Sequence, residues 1–140
     1  MLEENKALAR RVLEDLVVKM DLEKIDEYFA ADVIVHVPFL EMPPGRQGIR
    51  QLYSSFPDAI ADVDLRFEDQ IAEGDRVVTR WSSTNTHAGE YMGAPATGKR
   101  IKTTAITIYR FEDGKAVEGW TEYNSLDMMQ QLGVVPSPGG

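Results

Sequence analysis

The spacing of apolar residues changes once along this chain, and that change constrains the fold more than any other feature. Up to about residue 60, apolar residues recur at the 3.6-residue period of amphipathic helices. Beyond it, segments rich in β-branched and aromatic residues alternate with a period of two. We predict strands at 62–72, 76–87, 100–111 and 115–125. Asp113-Gly114 suits a type I′ turn, so the strands form an antiparallel meander.

The first sixty residues predict three helices and one strand. The first helix covers 3–20, Asp21 caps a short second helix, and a third helix stops before Pro57. The strand DVIVHVP ends at Pro38, and a last helix, SLDMMQQLG, ends at Gly133. Helices followed by a meander indicate an α+β fold, with the helices packed on one face of a curved sheet. We expect one domain over 1–140, with its core at about 3–133 and a loose tail at 134–140.

Composition excludes several classes of function. The net charge of −8 and the pI of about 4.7 argue against nucleic acid or an anionic membrane as a partner. The chain has no cysteine, which excludes disulfides, thiolate catalysis and cysteine-ligated zinc. Its two histidines leave metal binding possible, but their spacing does not point to a metal site, and we expect none. The N-terminus is charged from the third residue and no apolar run approaches about 20 residues, so we expect a cytoplasmic protein without a membrane span.

The segment EGWTEYN on the last predicted strand carries an unusual set of side chains. Alternation places Glu118, Trp120, Glu122 and Asn124 on one face, opposite Val117, Gly119, Thr121 and Tyr123. Both faces are similarly polar, so the pattern leaves open whether the first set lines a cavity or a solvated edge.

Polar residues spaced by two among apolar ones also occur on other strands. Trp81, Ser83, Asn85 and His87 share one face, and His36 lies among valines. Such a pattern is typical of a mainly apolar cavity with a few convergent polar groups. Each candidate residue also has a simpler structural interpretation. His36 would be a core histidine, and Trp81 and Trp120 would be packing residues. His87 would be a loop residue, Glu122 an exposed strand residue, and Asp58 a turn or cap residue.

Taken together, the motifs resemble those of a known family. The segments DLEKIDEYFAADVIVHVP, PPGRQGI, IAEGDRVVTRW, THAGEYMGAPATGKRI and IYRFEDGKAVEGW occur in that order. They are similar to the SnoaL-like polyketide cyclases, a branch of the nuclear-transport-factor-2-like superfamily. The resemblance extends from about residue 3 to residue 133.

The resemblance implies a cone-shaped α+β barrel with a deep, mainly apolar cavity, and a homodimer formed through the sheet. It also implies intramolecular aldol ring closure without metal or organic cofactor. The family's acid/base aspartate, at the end of an "EhW…D" run, corresponds to Asn124 here, and the usual histidine of that run is Gly119. An amide cannot exchange the proton at neutral pH, although it can donate a hydrogen bond to an oxyanion.

Several residues are therefore candidates for the missing role. We rank Glu122 with His36 first as the base, with His87 as a further candidate. Tyr53 and Tyr109 are candidate donors, and the remaining cavity candidates are Asp58, Trp81 and Trp120. The expected function is cofactor-independent chemistry on a small hydrophobic molecule. The alternatives are a non-catalytic binding protein, an epoxide hydrolase, an isomerase in which Tyr109 and Asp58 form the oxyanion hole, or a scaffold.

Overall fold

The computed structural model describes residues 1–38 and 40–138. The chain starts with helix α1 (Leu2–Leu13), which continues into a π-helical turn, Glu14–Val18. Asp21 then accepts a hydrogen bond from the backbone N–H of Glu23 at 3.2 Å and caps a 3-10 turn, Leu22–Lys24. Helix α2 (Ile25–Tyr28) follows directly. The predicted cap is confirmed, and the predicted first helix comprises an α-helix and a π-turn.

Strand β1 (Phe29–His36) begins three residues earlier than predicted, because Phe29 and Val33 are both buried in the core. Helix α3 (Arg46–Ser54) ends before Pro57, as expected. Pro57 does not end the helical region, however, since it lies in the first turn of a further short helix, α4 (Phe56–Ala59). Proline is tolerated there because the first helical N–H groups have no intrahelical acceptor.

Five strands form one open sheet in the order β1-β5-β4-β3-β2. The predicted meander is confirmed: β2 (Ile60–Glu73), β3 (Arg76–His87), β4 (Arg100–Glu112) and β5 (Lys115–Tyr123) pair antiparallel in succession. Strand β1 adds a parallel partner to β5. Strands β1 and β2 remain at opposite edges, so the sheet of the α+β domain is curved and does not close.

The predicted hairpin turn and the predicted end of the last helix both have the expected backbone conformation at their glycines. Asp113 and Gly114 have φ angles of 51° and 76°, as a type I′ turn requires at both central positions. The last helix, α5 (Ser125–Gln131), is followed by Gly133 with φ of 80°. Residues 134–138 contain neither helix nor strand, and the rest of the predicted tail lies outside the described residues.

Alternation along β3 and β4 defines an inner and an outer face of the sheet. The odd-numbered residues of both strands are buried, from Val77 to His87 and from Ile101 to Phe111. Helix α1 packs against β2 and β3, and its Leu8 and Val12 join Phe29 and Tyr109 in the main core. The helices therefore cover the inner face, whereas the outer face is left uncovered by the described part of the chain.

Within the described residues, none of the helices has the length and apolar character needed to cross a membrane.

Candidate functional site

A pocket of about 670 Å³ lies between the inner face of the sheet and the helices. The helical side contributes Leu13, Val17, Tyr53 and Phe56. The sheet contributes alternate residues of three neighbouring strands: Trp81, Ser83, Asn85, Thr103, Thr107, Thr121 and Tyr123. Its volume is within the range of about 300–1,000 Å³ that is typical of small-molecule sites.

Several hydrogen-bonding groups on the sheet side of the pocket already have partners within the protein. Trp81 Nε1 donates to Thr107 Oγ1 at 3.0 Å, and Thr107 Oγ1 is 3.0 Å from Thr121 Oγ1. Thr103 Oγ1 is 3.5 Å from the sulfur of Met128. Trp81 thus contributes its ring to the pocket, while its N–H is already bound.

Ser83 and Asn85 differ from these neighbours. Each is only 5% exposed, and neither side chain has a hydrogen-bond partner in the described part of the chain. They lie two residues apart on β3, so both side chains point to the inner face. The sequence pattern contained this signal, because both residues belong to the alternating set on the predicted strand. Neither was singled out as a site residue.

The charged groups of the pocket lie at its mouth. Glu41 and Glu90 belong to the lining and both are exposed. Among the described residues, the lining includes no lysine, arginine or histidine. The interior therefore offers neutral polar groups, with negative charge confined to the entrance.

Burial raises the pKa of both candidate donors, Tyr53 and Tyr109. The pKa of Tyr53 rises to about 12, and the neighbouring Tyr109 hydroxyl opposes that rise. The pKa of Tyr109 rises well above its usual value, and Tyr53 adds to the rise. Both hydroxyls therefore stay protonated at neutral pH. Tyr53 also lines the pocket, so its O–H can donate to a ligand there.

His87 lies at the end of β3 and is 1% exposed, but it is not part of the pocket lining. Its Nδ1 is 2.8 Å from Thr97 Oγ1 and accepts the backbone N–H of Thr97 at 3.3 Å. Because a backbone amide can only donate, the neutral ring carries its proton on Nε2. Nε2 is buried and has no partner among the described residues. In this tautomer His87 fastens the loop at residues 88–98 and offers a donor rather than a base.

The expectation that Glu122 and Asn124 face the pocket is wrong. Thr107 pairs with Thr121 and Ile106 pairs with Glu122, so the inward position of Thr107 places Thr121 inside and Glu122 outside. Glu122 is exposed, as is its neighbour Ile106. Gly119 faces inward, where an added Cβ would lie 2.8 Å from Cε1 of Tyr109. The Tyr109 ring therefore occupies the place of a side chain at position 119.

Asn124 binds backbone groups of β4 just beyond the end of β5. Its Oδ1 accepts the N–H of Thr104 at 2.9 Å, and its Nδ2 donates to the carbonyl of Lys102 at 3.2 Å and to Asp127 at 3.0 Å. Gln131 binds both backbone groups of Lys102, at 2.8 and 2.9 Å. We call Asn124 and Gln131 the amide clamp. It attaches α5 to β4.

His36 and Trp120 also lie on the outer face. The two rings stack with centroids 5.5 Å apart, and His36 Nε2 is 3.0 Å from Glu118 Oε2. The hydrogen bond from His36 lowers the pKa of Glu118, and Arg110 adds to this effect. The guanidinium of Arg76 lies 5.5 Å from the centre of the Trp120 ring. The structure thus separates His36 from the pocket, and Trp120 with it.

Asp58 is exposed on α4 and does not line the pocket. Its backbone carbonyl approaches Gly89 so closely that a Cβ there would lie 1.9 Å from the oxygen. Asp58 therefore does not have the interior position that an oxyanion hole with Tyr109 requires. Within residues 1–38 and 40–138, no three His, Cys, Asp or Glu side chains are grouped as metal ligands.

Known proteins show the same fold. The family model for SnoaL-like polyketide cyclase matches residues 7–132. AclR from Streptomyces galilaeus, a proposed hydroxylase, is 30% identical, with a TM-score of 0.86 over 98% of this chain and 85% of that chain. IdmH from Streptomyces antibioticus, a proposed polyketide cyclase, is 32% identical, with a TM-score of 0.72 over 86% of this chain and 93% of its own.

A third structure, a proposed polyketide cyclase from Acidithiobacillus ferrooxidans, is 25% identical with a TM-score of 0.83, covering 94% of this chain and 95% of that one. No protein with a curated function matches this sequence significantly. The family model covers nearly all of the chain, and the solved structures share its fold. The chain belongs to the SnoaL-like polyketide cyclase family, in the nuclear-transport-factor-2-like superfamily.

Proposed function

We propose that this protein binds a neutral, mainly apolar molecule of the polyketide type in the pocket and closes a ring in it by an intramolecular aldol reaction. The observation that carries this proposal is the pocket itself, with its volume of about 670 Å³ and its aromatic and aliphatic lining. An ionised ligand would lose its hydration without gaining an opposite charge inside. The two carboxylates at the mouth disfavour an anion further.

The aldol reaction requires one base and stabilisation of an oxyanion. The base removes a proton from a carbon beside a carbonyl, the resulting enolate carbon forms a bond to a second carbonyl carbon, and the new alkoxide takes the proton back. Tyr53 supplies the donor for the developing oxyanion, because it lines the pocket and burial keeps its hydroxyl protonated. We assign the base to a carboxylate of the pocket mouth, Glu41 or Glu90, in place of Glu122 and His36.

The test begins with binding and continues with turnover. Titration calorimetry with a polyketide methyl ester measures the affinity, and mass spectrometry then detects an isomeric ring-closed product. Glu41→Gln and Glu90→Gln each preserve shape, and one of them should lower kcat by about 10²–10⁴-fold, as loss of a general base does. Ala88→Ser, on the loop that carries Glu90 but outside the pocket lining, is the control. Unchanged turnover in both glutamine variants would contradict the assigned base.

Binding without any turnover would indicate a non-catalytic binding protein, which is one of the alternatives expected from the sequence. We further propose that no cofactor is needed, so dialysis against EDTA should leave turnover unchanged. A stoichiometric metal lost together with activity would contradict this.

A second candidate reaction is hydroxylation, which the similarity to AclR over 98% of this chain favours. The two reactions differ in oxygen balance. Ring closure yields an isomer of the substrate. Hydroxylation with O₂ adds one oxygen atom to the product and reduces the other to water, so the substrate must also supply two electrons. Incubation under ¹⁸O₂ separates them, because only the hydroxylated product carries the label.

A further inference from the structure

Ser83 and Asn85 are buried residues of the sheet wall whose side chains have no hydrogen-bond partner among the described residues. Both are 5% exposed and both belong to the pocket lining. Around them, Trp81 and Thr107 are paired with each other. Buried polar groups in folded proteins normally have hydrogen-bond partners. Two buried residues on one face of β3 that lack a partner among the described residues therefore indicate that the ligand supplies it.

The contrast with His87 supports this interpretation. Next along the same face of β3, His87 Nε2 is completely shut off from solvent and lacks a partner in the described residues. The polar side-chain atoms of Ser83 and Asn85 also lack a partner among the described residues, but they remain accessible from the pocket. A molecule in the pocket can therefore reach them.

The chemistry of a carboxamide restricts what binds to it. Asn85 donates through its nitrogen and accepts through its oxygen, whereas a carboxylate ligand could only accept and an ammonium ligand could only donate. A hydroxyl beside a carbonyl matches both atoms of the amide at once. Ser83 lies about 6–7 Å further along the strand, where it can bind one more oxygen of the same molecule.

We propose that Ser83 and Asn85 determine the specificity of the pocket, and that Asn85 binds a hydroxyl and a carbonyl carried close together on the ligand. The inference rests on the proposed function, because it assigns a ligand chemistry to the same pocket. It also defines the substrate class as un-ionised hydroxyketones or enols.

The experiment compares two probes of nearly equal shape on the full chain. In 3-hydroxyflavone a hydroxyl adjoins the ketone, and flavone lacks that hydroxyl. We expect 3-hydroxyflavone to bind about tenfold more tightly, which corresponds to about 1.4 kcal/mol. Asn85→Leu, which keeps the side-chain size, should remove the difference, and Ser83→Ala should weaken 3-hydroxyflavone about threefold. Thr84→Val, between them on the opposite face, should change neither affinity.

The emission of bound 3-hydroxyflavone provides a readout that a loss of packing alone would not change. Its long-wavelength band arises when the excited hydroxyl passes its proton to the neighbouring carbonyl, and an outside hydrogen-bond partner suppresses that transfer. Short-wavelength emission should dominate in the wild-type complex, and long-wavelength emission in the complex with Asn85→Leu. Circular dichroism confirms that the variants fold, and Ser83→Ala tests the inference independently.

Each remaining outcome overturns a defined statement. If flavone and 3-hydroxyflavone bind equally and Asn85→Leu leaves the emission unchanged, the specificity assignment is wrong although the pocket binds. If neither probe binds, nor any polyketide ester, the proposed function fails and the inference fails with it.

Discussion

At the scale of single residues, Asn124 shows how one side chain can have a purely architectural role at a position where a catalytic group was expected. Its amide uses both its donor and its acceptor on the backbone of β4, within 3.2 Å. An aspartate in the same place could accept from Thr104 but could not donate to Lys102. It would also put a second negative charge beside Asp127, which is now 3.0 Å from Nδ2.

We therefore expect Asn124→Asp to destabilise the protein by about 0.5–1.5 kcal/mol at neutral pH, the usual net contribution of a hydrogen bond. The destabilisation should diminish when acid protonates the new carboxyl group, because that removes the repulsion and restores a donor. Urea denaturation at pH 7 and at pH 4 measures both effects. Gln130→Glu adds the same charge to α5 outside the amide clamp and serves as the control. Equal stability of Asn124→Asp and wild type would contradict the clamp.

Tyr53 permits a second prediction at this scale. If Tyr53 donates to the developing oxyanion, Tyr53→Phe should lower kcat by about a hundredfold while KM changes little, because the interaction forms mainly in the transition state. Tyr109→Phe should have a smaller effect in the same direction, since Tyr109 does not line the pocket and affects only the pKa of its neighbour Tyr53. Steady-state kinetics on the ring-closing substrate tests this. A change confined to KM would place Tyr53 in ground-state binding alone.

At the scale of the elements, the sequence predicted the strands well and the orientation of one of them poorly. Strands β3 and β4 alternate clearly, with Trp81, Ala105 and Tyr109 on the buried side. In β5 both faces carry polar groups, so alternation could not identify the inner one. The pairing with β4 decides which face of β5 is the inner one. Thr107 of β4 points inward, and the register places its partner Thr121 on the same side. Register is a tertiary property that the pattern of a single strand does not contain.

The close approach of the 88–98 loop to α4 allows a test at this scale. The N–H groups of Ala88 and Gly89 both donate to the carbonyl of Ala59 at 3.0 Å. A Cβ at Gly89 would lie 1.9 Å from the carbonyl oxygen of Asp58, which is backbone and cannot rotate away. We expect Gly89→Ala to displace the loop and to weaken ligand binding, because Glu90 and Tyr91 of that loop line the pocket.

Hydrogen exchange of the Ala88 amide and titration of 3-hydroxyflavone measure the two consequences of Gly89→Ala. Gly93→Ala on the same loop meets no atom within 4 Å, although its φ of 82° disfavours alanine. It should therefore be the milder change. If Gly89→Ala were as mild, the contact between the loop and α4 would not position the loop.

At the scale of the whole molecule, every one of the 5 tyrosines has a raised pKa, mainly through burial in all five cases. The pKa of Tyr28, Tyr53 and Tyr91 rises to about 12 from a usual value of 10.0. Above pH 10 the unfolded chain loses these protons while the folded protein keeps them. The free energy of unfolding must then decrease as the pH rises toward about 12.

Urea unfolding between pH 8 and pH 12, together with tyrosinate absorbance, should show this alkaline loss of stability. Tyr91→Phe removes one contributing group and should make the loss less steep, whereas Lys99→Gln on the exposed part of the loop should not. Complete ionisation of the tyrosines near pH 10 in the folded protein, without loss of stability, would contradict the burial of these hydroxyls.

The outer face of the sheet predicts a property of the whole molecule as well. Ile34 and Ile106 are 48% and 44% exposed there, on the same side as Trp120. We expect a homodimer formed through this face at micromolar concentration, as exposed apolar sheet surfaces favour. Sedimentation should give about twice the 15.7 kDa mass of one chain. Ile106→Lys should yield monomers, and Leu2→Lys, at a position 42% exposed on α1, should not. If the wild-type protein sedimented as a monomer, the predicted homodimer would be wrong.

The amide clamp has one more consequence, which concerns the behaviour of the protein at high concentration. Strand β5 ends opposite Ala105, so the backbone of β4 from Lys102 to Thr104 would present bare N–H and C=O groups to any extended chain nearby. Exposed strand edges are templates for the growth of aggregates. Asn124 and Gln131 occupy these groups with side-chain amides, which imitate a neighbouring strand without offering a further edge. We therefore expect that aggregation does not start from this stretch of β4.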